Sequence, residues 1–194
     1  MMSIEVKKQN RVNKIGFLIA VVSFLLGTLL LLIFYLSDSF DIAIIGYGFL
    51  IVAGIVNLIV LLILIKKSMT DKENRNSYLK TSGLLLLNIP IAIVYLIFVM
   101  FLFNTMRINF INKTGKPITE IQITGCESKT IDKLDIDESK TIWIGIPGDC
   151  SITIEYKIDD EIKREEVFSY VTNSMGQRAI FRIGNQEKPI DETF

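Results

Sequence analysis

Charge disappears from the chain in three long stretches. Residues 15–36, 42–65 and 81–106 contain no Asp, Glu, Lys or Arg and are dominated by Leu, Ile, Val and Phe. A helix needs about 20 predominantly apolar residues to cross the hydrocarbon core of a bilayer. The segments Ile15–Leu36, Ile42–Ile65 and Gly83–Phe103 each meet that length, so the pattern predicts transmembrane helices over 15–36, 42–65 and 83–104. The first is longer than the apolar core of a signal peptide, and Ser37-Asp38-Ser39-Phe40 makes a poor cleavage site, so it is read as a permanent span. Pro90 is expected to kink the third span near its start.

Past residue 105 the period changes. Ile152, Ile154, Tyr156 and Ile158 alternate with Ser151, Thr153, Glu155 and Lys157, and Ile142, Ile144 and Ile146 alternate with Thr141, Trp143 and Gly145. A period of two built from β-branched residues predicts half-buried antiparallel strands. Turn-forming clusters separate the runs at Asn112–Pro117, Pro147–Asp149, Asp159–Glu161 and Asn173–Gly176. The pattern predicts strands near 107–112, 118–124, 129–134, 140–146, 150–158, 162–171 and 177–183. Short strands at this spacing point to an immunoglobulin-like sandwich or a small barrel. The predicted fold class is therefore α+β: a three-helix transmembrane bundle followed by an all-β antiparallel sandwich of about seven strands. The expected organisation is a tail at 1–14, a transmembrane domain at 15–104 with a loop at 66–82, a β domain at 105–184, and a loose tail at 185–194.

Basic residues orient the spans. The N-terminal tail carries Lys7, Lys8, Arg11 and Lys14, and the 66–82 loop carries Lys66, Lys67, Lys72, Arg75 and Lys80. The short 37–41 loop has no basic residue and two aspartates. Basic loops stay in the cytoplasm, so the tail and long loop are expected inside and the β domain outside. The isoleucine-, lysine- and asparagine-rich composition fits a bacterial chain, which makes the expected location the bacterial inner membrane with a periplasmic β domain.

The only two cysteines, Cys126 and Cys150, both fall in the β block. In an oxidising compartment they are expected to form a disulfide, worth about 3 kcal/mol, mostly through the unfolded chain. Within the spans, small residues recur on one stripe of the first helix (Gly16, Ala20, Ser23, Gly27), with Asn57 and Asn88 on the second and third. Small residues let helices approach and asparagine hydrogen-bonds across them. Asn57 and Asn88 are thus expected as intramembrane polar contacts, and the small-residue faces also offer a seam for a homo-oligomer.

Composition removes several chemistries. With 21 basic and 21 acidic residues and no histidine, the chain has no basic excess for nucleic acid and no His-based triad. No P-loop, GxSxG, HExxH or dinucleotide motif occurs, and Gly46-Tyr-Gly48 lies inside a span. Asp132, Asp135, Asp137 and Glu138 cluster but miss the glycine and closing glutamate of a calcium loop, so no metal and no cofactor are expected. The single tryptophan, Trp143, points away from the Ile142/Ile144/Ile146 face. With Phe168, Tyr170 and Asn173 it forms the candidate interface, either for a protein or for the membrane surface.

The sequence therefore leads to the expectation of a non-enzymatic inner-membrane protein. It would present a β-sandwich to another envelope protein, as a complex component or as an immunity protein. The alternative is a membrane effector whose β domain is cytoplasmic, binds a small signal molecule and drives helix oligomerisation or permeabilisation. That alternative requires free thiols.

Overall fold

The computed structural model describes residues 2–185 and 190–191. Three helices lead: α1 (Met2–Ser37), α2 (Phe40–Thr70) and α3 (Arg75–Phe103). Strands follow: β1 (Thr105–Asn112), β2 (Ile118–Thr124), β3 (Lys129–Leu134), β4 (Ser139–Gly145), β5 (Cys150–Ile158), β6 (Glu161–Val171), β7 (Arg178–Ile183) and the two-residue β8 (Ile190–Asp191). The chain forms two compact units, Met1–Ile97 and Phe98–Phe194.

In the first unit the helices extend past the apolar segments that predict them. The 66–82 loop shrinks to residues 71–74, because α2 runs to Thr70 and α3 starts at Arg75. The expected tail at 1–14 is helical from Met2. Apolarity marks where a helix meets lipid, whereas Lys, Arg, Gln and Glu favour helix as well as most apolar residues do and carry it onward. The α1–α2 connection is Asp38 and Ser39 alone, with Asp38 at φ 52°, a conformation a short polar side chain tolerates. Pro90 lies inside α3, which is helical on both sides of it.

All three helices are long and apolar enough to cross a membrane, and only 11%, 6% and 6% of the residues in their most apolar windows are buried within the protein. Apolar surface that extensive is not left in water by soluble proteins. What is buried is small: Ala20, Leu64, Tyr78 and Leu85, with Val12, Ile19 and Val60 against them. Gly16 sits against side chains of both other helices. A Cβ there would stand 2.9 Å from Leu64 Cδ1 and 3.2 Å from Thr81 Cγ2.

In the second unit two sheets face one another, ordered β4-β1-β7-β8 and β3-β2-β5-β6. Between them lies an isoleucine-rich core with Met106, Ile108 and Phe110 from β1 and Ile152, Ile154 and Tyr156 from β5. The seven predicted strands are all present, within two residues at each end. Two expectations are corrected. The sheets do not close into a barrel, and the sandwich is not wholly antiparallel: β1 and β7 pair in parallel, Arg107 opposite Arg178 through Asn112 opposite Ile183. The 172–177 segment carries the chain from one sheet to the other at the end where β1 begins, so both strands start there and run the same way. Of the expected loose tail, residues 186–189 and 192–194 lie outside the described residues, and Ile190–Asp191 pairs with β7.

Bulges explain where the alternation breaks. Glu120 takes φ 52° and the β2–β5 register shifts between Thr119 and Gln122. One extra residue there lets Ile118, Ile121 and Ile123 all face the core. At the end of β1, Asn112 is wholly buried. Its Nδ2 donates to the carbonyls of Lys116 (2.7 Å), Leu134 and Asp135 (3.1 Å each), and its Oδ1 accepts from Thr114 N and Oγ1. One amide thus satisfies the backbone of two loops, and although Asn112-Lys113-Thr114 spells a glycosylation sequon, its asparagine is not presented to solvent.

Asn112→Ala leaves those buried groups unpaired and is expected to cost about 3 kcal/mol. Thermal unfolding of the full chain in micelles, followed by Trp143 fluorescence, checks this. A loss within about 0.5 kcal/mol, the range of ordinary surface substitutions, contradicts the assigned role.

Candidate functional site

In the helical unit, polar side chains meet along the α1 stripe. Asn57 Nδ2 donates to Ser23 Oγ (2.9 Å) and to the Ala53 carbonyl (2.7 Å). Asn88 Nδ2 donates to the Ala20 carbonyl (3.1 Å) and lies 3.5 Å from Asn57 Oδ1. Asn13 Nδ2 donates to Ser77 Oγ at 2.8 Å, and the Thr28 and Tyr95 hydroxyls are hydrogen-bonded at 2.6 Å. Gly27, lower on the stripe, faces Phe49 and Tyr95. At Ala20 the small side chain leaves the α1 carbonyl open to Asn88, while Asn57 uses the Ser23 hydroxyl beside it. Apolar packing cannot drive association where lipid is equally apolar, so contacts of this kind set which helix faces meet.

In the β unit the disulfide joins Cys126 and Cys150, whose Cα atoms are 5.2 Å apart. Cys126 follows β2 and Cys150 opens β5, which pair in one sheet, so the bridge ties off the end of that ladder. Gly125 makes the approach possible. It adopts φ 118°, and a Cβ there would fall 1.8 Å from the Ser151 carbonyl oxygen.

The end of α3 is built into the same unit. Asn104 N and Nδ2 donate to the Met100 carbonyl, Thr105 Oγ1 to the Phe101 carbonyl at 2.7 Å, and Gly176 N to the Phe103 carbonyl at 2.8 Å. Ile146 N donates to the Asn104 carbonyl at 2.9 Å. A Cβ on Gly176 would lie 2.3 Å from the Leu102 carbonyl oxygen, so only glycine fits beneath the helix end. Trp143 stacks on Phe101 of that last turn, with centroids 5.9 Å apart and planes at 21°. On β1, directly opposite Trp143, the Arg107 guanidinium lies 5.7 Å from the indole centroid.

The four candidate interface residues therefore separate. Trp143 lies against the helix end. Phe168 packs on the core, because the register of β6 shifts beside Ile152 and turns it away from the face of Tyr170. Tyr170 is exposed and its hydroxyl donates to Asp149 Oδ1 at 3.1 Å; Asn173 is exposed in the 172–177 loop. Sequence reading missed Asp149. It also accepts from Thr172 Oγ1 at 2.5 Å and so clasps the 147–149 loop to the 172–177 loop. Arg107 and Phe101 were missed as well, although a lone cation just past an apolar span was a visible sign.

The acidic loop is occupied internally. Asp135 pairs with Lys133 and Asp137 with Lys113, both at 2.7 Å, and Glu138 Oε2 accepts from Asp135 N. Among the described residues no group of three His, Cys, Asp or Glu side chains is arranged to hold a metal. Two carboxyls sit below their ordinary range: Asp149, through the hydroxyls of Thr172 and Tyr170, and Glu127, through Lys129 and the Gly145 N–H.

No family model matches the chain, and no curated protein matches it. Among solved structures, an NMR structure of a protein from Eubacterium rectale is similar to part of it, at 16% identity and a TM-score of 0.31, over 44% of this chain and 84% of that one. A likeness at that score carries no argument.

Asn57→Val is expected to weaken helix packing by about 0.6–1.7 kcal/mol, and a double-mutant cycle with Asn88→Leu should return a coupling below about 0.5 kcal/mol, because 3.5 Å is too long for a strong direct bond. Denaturant titration in micelles measures both. For Asp149, a lowered carboxyl pKa means its stabilisation is present above the unfolded value of about 3.9 and is lost as pH falls through the folded value. Asp149→Asn should therefore lower the melting temperature at neutral pH, with the gap to wild type narrowing in acid. An equal gap at both pH values contradicts the clasp.

Proposed function

We propose that this chain is a non-enzymatic protein of the bacterial inner membrane whose three helices hold a β-sandwich on the periplasmic side for binding another envelope protein, as part of a complex or as an immunity protein. The observation that carries the reading is the Cys126–Cys150 bridge. A disulfide is at home in an oxidising compartment, and the distribution of Lys and Arg independently favours export of the same block. Cysteines are confined to that block, away from the spans and basic connections. The sandwich supports display: it has its own core, its bridge restrains the ladder end, and large apolar side chains such as Ile136 and Ile162 remain exposed among charges on loops and strand starts.

A topology reporter fused to Phe194, combined with a membrane-impermeant thiol reagent applied to intact cells before and after reduction, tests the location. We expect an external reporter and thiols that label only after reduction. An internal reporter with thiols free in the untreated protein overturns the reading in favour of a cytoplasmic sensor that drives its helices to oligomerise. In-cell crosslinking of the full chain tests the role: a reproducible protein adduct is expected, and crosslinks to lipid alone would sink it.

A further inference from the structure

The loops of the β unit divide between its two ends, and the ends differ in chemistry. At the end where α3 enters lie the 125–128, 146–149 and 172–177 loops, whose only charges are Glu127 and Asp149. Lys129 neutralises Glu127 and hydroxyls engage Asp149. At the opposite end, the loop after β1 carries Lys113 and Lys116, the loop after β3 carries Asp135, Asp137 and Glu138, and the turn after β5 carries Asp159 and Asp160. The entry end also exposes apolar side chains: Phe101 and Met100 on the helix, Trp143 on β4 and Met175 in the 172–177 loop.

We infer that this entry end is a membrane-contacting surface. The indole of Trp143 would lie in the headgroup layer and hold the β unit on the bilayer in addition to the helix. Gly83–Phe103 at ~1.5 Å per residue just covers a hydrocarbon core of ~30 Å, which puts Phe101 within roughly one turn of its boundary. Trp143, 5.9 Å from Phe101, then falls inside the interfacial zone, where tryptophan is favoured. Arg107 and Phe101 fix the ring while over a third of the residue stays exposed, at 37%. A partly exposed, pinned aromatic beside a span end, among loops that carry only two charges, fits a lipid interface better than it fits open water. The inference rests on the membrane reading of the helices but not on which side the domain occupies.

Trp143 is the only tryptophan, so its emission reports this position alone. The full chain is reconstituted into phosphatidylcholine vesicles brominated either near the carbonyl end of the acyl chains or near their methyl ends. Flotation first establishes incorporation. We expect blue-shifted emission, quenched at least about twofold by the shallow bromines, less by the deep ones and weakly by acrylamide, as for an interfacial indole. The double variant Trp143→Phe, Ile136→Trp moves the probe to the charged end, where emission should be red-shifted, open to acrylamide and insensitive to bromine. Incorporated protein whose Trp143 ignores bromine and is quenched by acrylamide overturns the proposal, and so does Trp143 shielded from both, which assigns the surface to a protein contact. Failure to float overturns the membrane reading itself.

Discussion

A helix ends with four carbonyls that its own backbone cannot satisfy, and residues at the start of the β unit and in its loops reach three of those at the end of α3. Asn104, Thr105 and Gly176 donate to Met100, Phe101 and Phe103, and Ile146 N takes the next carbonyl, at Asn104. At the edge of an apolar span an unpaired carbonyl is costly. Much of the unit's layout follows from meeting that need. β4 must end beside the helix so that Ile146 reaches Asn104. The 172–177 loop must pass under it, with Gly176 at the closest point, and β7 must then start alongside β1. The parallel pairing of the first and last long strands follows from that path.

The elements were legible because each has its own period. Ile152, Ile154 and Tyr156 alternate in sequence and are buried together, and the charge-free stretches lie within the three helices, apart from residues 104–106, which lead into β1. Helix ends were less legible, since Lys66, Lys67 and Lys80 are polar in pattern yet helical in preference. Partnership was not legible. Nothing in Arg178–Ile183 says that its neighbour is β1 in parallel, because a strand's period describes its faces and not its edges. Phe168 and Tyr170 share a face only if the strand is regular, and a bulge separates them. Asn57 and Asn88 could be named because polarity stands out in an apolar run, but their main partners, Ser23 Oγ and the Ala20 carbonyl, depend on how the helices turn about their axes.

Some of the most constrained residues are ones that composition passes over. Gly125 and Gly176 resemble ordinary turn glycines, but one lies against the Ser151 carbonyl and the other against the carbonyl of Leu102. Asn112 begins a modification signal and is instead an interior cross-brace between two loops. In each case the chain approaches itself more closely than a larger or differently shaped side chain permits, and only the three-dimensional path reveals it.

The placement of β1 has a mechanical consequence. It leaves the helix at Thr105 and is flanked on both edges, by β4 antiparallel and by β7 parallel. Tension applied along α3 and resisted at the far end of the sandwich would load both ladders lengthwise. Their hydrogen bonds would then share the load in shear instead of opening one after another like a zipper. The strand that takes the pull from the helix is thus the one held on both sides, an arrangement that resists extraction of the sandwich from its first residue.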